Sequence, residues 1–111
     1  MSTLIEPLVK RNIFPSENEA IEVLVREYVM RQVNGLQKEV RQMEHKYGLN
    51  FQQFEKFLHE RSVLLASDEL SSEQRQSLNR SVMQEEDDWL EWKAAREMLE
   101  NWLGLRQETG A

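Results

Sequence analysis

The chain contains no cysteine. That excludes disulfides, thiolate metal sites and a cysteine nucleophile, and it fits a reducing, cytoplasmic setting. Proline occurs twice and glycine four times in 111 residues, which is sparse punctuation for many short strands and suits a few long helices. No apolar run approaches the roughly 20 residues that a membrane helix requires, and no signal-peptide pattern precedes Pro7. Positive charge is not in excess either. A net charge of −6 and a pI near 5.0 argue against a broad basic footprint for nucleic acid. What is present is 40% apolar and 31% charged residues, too apolar a mixture for a wholly disordered chain. A single core of this size leaves little margin, so a partner surface is expected.

The charge is unevenly spread. Met1 to Tyr47 holds seven basic and seven acidic residues, whereas Gly48 onward holds seven basic and thirteen acidic ones and so carries the whole −6. Two halves with different neighbours are implied. No internal repeat or low-complexity tract is evident.

Local signals divide the chain into four helices. The first is expected over Leu4–Asn12, with Thr3 and Glu6 at capping-box spacing and Pro7 tolerated in the first turn. The alternative is an extended stretch up to Pro7 with the helix starting at Leu8. Pro15 disfavours helix at Phe14, and Ser16 with Glu19 caps the next helix. Its apolar positions run Ile21, Val25, Tyr28, Val29, Val33, Leu36, Val40, Met43 and Tyr47, the second part at heptad spacing. This helix should span about 30 residues, to a C′ glycine at Gly48. So long a stripe needs cover, from a second copy or from Phe51, Phe54, Phe57 and Leu58. Asn50 with Gln53 caps that third, antiparallel helix. Around Val63 to Leu70 the pattern weakens into a hinge. Ser71 with Gln74 then caps a last helix running to Leu103, with Gly104 as C′. The organisation expected is dimerisation helices over 1–61, a hinge over 62–71 and a Trp-rich acidic helix and tail over 72–111.

That last helix carries Glu85, Glu86, Asp87 and Asp88, followed by Trp89, Trp92, Leu99, Trp102 and Leu103. All three tryptophans fall here. Tryptophan buries a large area for little rotamer entropy, which suits a binding hot spot and equally a helical core. Both readings stand at this point. The acidic run in front of the aromatics favours a basic partner, since complementary charge steers association.

Catalysis is not expected. His45 and His59 sit on different helices among charged neighbours, and the residues three before them, Gln42 and Lys56, make no Glu-x-x-His pair. A helix turns the four carboxylates of the acidic run in different directions, without the glycine and carbonyl ligands of a calcium loop. A phosphate-cradling glycine loop and a Gly-x-Ser-x-Gly elbow are both missing. No cofactor, metal or small-molecule substrate is called for.

Leu8-Val9-Lys10-Arg11-Asn12-Ile13-Phe14-Pro15-Ser16-Glu17-Asn18-Glu19-Ala20-Ile21, followed by Leu24-Val25-Arg26-Glu27-Tyr28, resembles the helical portion of ribbon-helix-helix antitoxins of the CopG type. Glu44-His45-Lys46-Tyr47-Gly48-Leu49-Asn50-Phe51-Gln52-Gln53-Phe54 and Glu86-Asp87-Asp88-Trp89-Leu90-Glu91-Trp92-Lys93 are similar to regions of small bacterial antitoxins, the latter to their toxin-facing tail. The resemblance implies a homodimer that neutralises a toxin-like protein and can bind DNA. One departure matters. The family's DNA-reading strand has no counterpart, because Met1-Ser2-Thr3-Leu4-Ile5-Glu6-Pro7 offers no Lys, Arg, Asn or Gln to base edges.

The sequence thus points to an all-α protein of elongated helices, a helical homodimer joined through Ile21, Val25, Tyr28, Val29, Val33, Leu36, Val40, Met43 and Tyr47. Its expected role is non-enzymatic: antitoxin-like neutralisation by occlusion, with Glu85 to Asp88, Trp89, Trp92, Leu99, Trp102 and Leu103 on the partner. One alternative is a DNA-binding regulator touching phosphates through Lys10, Arg11, Arg26 and Arg31. The other is a structural helical bundle whose tryptophans are core.

Overall fold

The structure, a computed structural model, describes residues 4–109. Among them four helices and no strand occur: α1 (Glu6–Lys10), α2 (Glu17–Tyr47), α3 (Phe51–Ala66) and α4 (Ser72–Thr109). The all-α class follows from the sparse glycine and proline. None of the helices is long and apolar enough to cross a membrane.

The caps explain most of the boundaries. α1 is shorter than Leu4–Asn12. Its N-cap is Ile5 without a side-chain bond, and Pro7 sits at its start; Thr3, expected to cap it, lies outside the described residues. It ends in a Schellman arrangement, with Ile13 N–H donating to Leu8 O (2.9 Å) and Asn12 N–H to Val9 O (3.0 Å). Asn12 holds a φ of 58°, a left-handed conformation that asparagine tolerates. Ser16 Oγ then accepts from Glu19 N–H at 3.2 Å and starts α2. α2 ends at Tyr47 because Gly48 takes a φ of 65° and donates its N–H to Glu44 O at 2.7 Å.

Asn50 and Gln53 form a complete capping box, with Gln53 N–H to Asn50 Oδ1 at 2.8 Å and Asn50 N–H to Gln53 Oε1 at 2.9 Å. Ser71 and Gln74 repeat it at 3.1 and 3.0 Å.

Two expected boundaries need correction. The hinge expected over 62–71 is helical as far as Ala66, and the Arg75 guanidinium holds the turn that follows. It donates Nη2 to Ser67 O at 2.6 Å and Nη1 to Leu65 O, placing a cation on the carbonyl end of α3. Gly104 does not terminate α4, which continues to Thr109. A glycine stops a helix only where a left-handed turn or a breaker follows, and the next residues of α4, through Thr109, supply neither.

The residues fall into two compact units. One takes in the described residues up to Gly35 and from Leu99 onward; the other is Leu36–Met98. α2 and α4 each contribute to both. In the first unit Ala20, Val29 and Val33 are buried, and Trp102 meets Tyr28 edge-on with ring centroids 5.7 Å apart. In the second, Phe51, Phe54, Leu58, Val82 and Trp92 form the core, with Val40, Met43, Tyr47, Leu49, Phe57, Leu65, Leu78 and Trp89 packed on it. The apolar faces of α2, α3 and α4 thereby join in one aromatic cluster. Phe54 stands 4.3 Å from Tyr47 and 5.3 Å from Trp92, centroid to centroid.

Candidate functional site

The acidic run does not act as a block. Glu85 and Asp88 lie three residues apart on one face of α4 and turn inward, whereas Glu86 and Asp87 are exposed. Glu85 pairs with Arg61 of α3 at 2.7 Å. Asp88 is buried and accepts from Lys46 Nζ at 2.7 Å, from the Tyr47 hydroxyl, and from Gln84 Nε2 at 3.5 Å. Burial by itself would raise the Asp88 pKa, but the bonds from Lys46 and Tyr47 win and hold it below the ordinary carboxylate value. Tyr47 moves the other way. Its hydroxyl is pushed well above the usual tyrosine value by burial first, then by its bond to Asp88 and by the negative charges of Asp88 and Glu85. The network fixes the end of α2 on α4.

The tryptophans also part company. Trp92 is 1% exposed and fills the core of the second unit, its Nε1 without a hydrogen-bond partner among the described residues. Trp89 is half-buried; its Nε1 donates to Glu55 Oε2 of α3 at 3.2 Å and Lys93 Nζ lies 5.1 Å above its ring. Leu99, Trp102 and Leu103 are half-buried in the first unit. The seam expected to face a partner thus divides between two units, with one member, Trp92, presenting no surface.

The α2 stripe behaves likewise. Val29, Val33 and Leu36 are buried within the chain, and Val40, Met43 and Tyr47 pack on its own core. Ile21, Val25 and Tyr28 remain exposed. Lys10, Arg11, Arg26 and Arg31 are exposed on α1, its C-cap and α2.

What α3 and α4 present outward is a groove of about 360 Å³, lined by Glu55, Leu58, His59, Ser62, Glu86, Trp89 and Leu90. Its apolar lining is Leu58, Trp89 and Leu90, the last 57% exposed. Two carboxylates flank it, and no lysine or arginine is among the lining residues. Such a site accepts a basic side chain in a natural way: the aliphatic stem lies on the apolar wall while the charged head meets a carboxylate. The bond from Trp89 to Glu55 holds one of those carboxylates in place beforehand. Of these, the sequence pattern marks Glu86 and Trp89 as partner-facing, but not Glu55, Leu58, His59, Ser62 or Leu90. Glu55 and Ser62 belong to α3, and only the packing of α3 on α4 brings them beside Trp89. Among the described residues no group of three or more His, Asp or Glu side chains is placed to hold a metal ion. Comparison with known proteins returned no match: no family model, curated protein or solved structure corresponds to this chain.

Proposed function

We propose that the chain is a non-enzymatic protein-binding module, acting as a homodimer and neutralising a basic partner protein by occlusion in the manner of an antitoxin. The observation that carries this reading is the groove between α3 and α4, with an apolar lining and two carboxylates in the acidic half of the chain. A basic residue of the partner enters over Leu90, beside the Trp89 ring that carries Lys93, and is met by Glu86 and Glu55. Apolar contact supplies residence time, and the exposed Glu86 and Asp87 speed encounter, more so at low salt. The resemblance to small antitoxins supports the choice of partner class.

The experiment is co-expression with the protein encoded beside this gene, followed by size exclusion and calorimetry. Wild type should form a stable complex whose affinity falls as salt rises. Leu90→Lys and Glu86→Lys, both at exposed positions, should each weaken it by about tenfold or more while leaving the helical circular dichroism intact. A complex indifferent to both substitutions, or no complex at all, overturns the reading.

A further inference from the structure

Ile21, Leu24, Val25 and Tyr28 lie on one side of α2 at i, i+3, i+4 and i+7 spacing. The chain leaves them 37%, 39%, 44% and 52% exposed. Charges on the same stretch are ordered along the helix: Glu17, Glu19 and Glu22 lead, and Arg26 and Arg31 follow, with Glu27 between them. None of these six forms an ion pair within the described residues. A parallel neighbour would set Glu17 beside Glu17 and Arg31 beside Arg31. An antiparallel neighbour reverses the order and brings Glu17 and Glu22 near the level of Arg31 and Arg26.

We infer that this face is covered by a second copy of the chain, with the two α2 helices antiparallel about a dyad between Leu24 and Val25. Ile21 then packs on Tyr28 of the second copy, and Leu24 on its Val25, so apolar meets apolar across the whole patch. The same register brings Glu17 and Glu22 within one residue of the level of Arg31 and Arg26 of the second copy, each pair occurring twice by symmetry, while Glu22 and Glu27 share a level but lie on opposite flanks of the helix. The inference rests on the homodimer of the proposed function and specifies its geometry.

The chain has no cysteine, so introduced thiols report without interference. Under oxidising conditions Leu24→Cys should cross-link to itself. Ile21→Cys and Tyr28→Cys should each stay uncross-linked alone, because seven residues separate the paired positions by about 10 Å along a helix, beyond disulfide reach. An equimolar mixture of those two variants should cross-link. Sedimentation of charge variants gives a second readout. Glu17→Lys with Glu22→Lys, and Arg26→Glu with Arg31→Glu, should each dimerise about tenfold or more weakly alone and recover when mixed. Efficient self-cross-linking of Ile21→Cys or Tyr28→Cys, or a silent mixture, overturns the antiparallel register even if wild type sediments as a dimer. A wild type that sediments as a monomer overturns the homodimer as well.

Discussion

Asp88 shows how one buried carboxylate serves as structure rather than as a surface charge. Its folded pKa lies below the unfolded value of 3.8, so its contribution is complete above that pH. It is lost as pH falls from there through the folded value. Tyr47 has a folded pKa above its unfolded 10.0, so its contribution is complete below that pH and is lost as pH climbs beyond it. Denaturant midpoints should therefore stay level between the two limbs and drop at both ends. Asp88→Asn should flatten the acid limb. Asp88→Ala should reduce stability at neutral pH by about 1–3 kcal/mol, because the Tyr47 hydroxyl loses its acceptor; a neutral-pH midpoint equal to wild type would contradict the buried network. Trp92 supplies the companion test. Trp92→Ala empties the middle of the aromatic cluster and should reduce stability by about 3–5 kcal/mol. Trp92→Phe should be much milder, since phenylalanine keeps an aromatic ring in the cluster and the indole Nε1 has no partner among the described residues. Similar midpoints for the two variants would place Trp92 outside the core.

At the scale of the element, capping is local chemistry and could be read directly. Ser16, Asn50 with Gln53, Ser71 with Gln74, and Gly48 all stand where their spacing put them, since each bond spans only three or four residues. The end of α4 could not be read that way. A Cβ added at Gly104 meets nothing within 4 Å, and its backbone is not left-handed, in contrast to Gly48 with a φ of 65°. Gly104→Ala should thus stabilise the protein by up to about 1 kcal/mol, as expected inside a helix. Gly48→Ala should destabilise it by a similar or larger amount, because alanine resists that backbone conformation. Thermal midpoints moving in the same direction for both would refute the different roles given to these glycines. The turn after α3 also escaped local reading. Arg75 holds it from eight and ten residues away, a reach for which no sequence pattern exists.

For the whole molecule, the first 47 residues are neutral and the remainder is acidic, but with fewer unpaired carboxylates than the count suggests. Within the run 85–88, Glu85 is spent on Arg61 and Asp88 on Lys46 and Tyr47, which leaves Glu86 and Asp87 exposed, and of these two only Glu86 lines the groove, together with Glu55. The sequence by itself determined that this is an all-α chain, where most helices start and stop, and that its apolar stripes require cover. Those properties come from bonds and periodicities within one helix. Only the tertiary structure decided what covers each stripe. Heptad spacing places Val29, Val33, Val40 and Tyr47 on a seam but is silent on whether a neighbouring chain or the protein's own helices close it. The chain covers all four itself, while Ile21, Leu24, Val25 and Tyr28 stay open. The choice between core and surface for Trp92 and Trp89 was settled in the same way. Burial is a property of the space between helices, and one helix's sequence does not contain it.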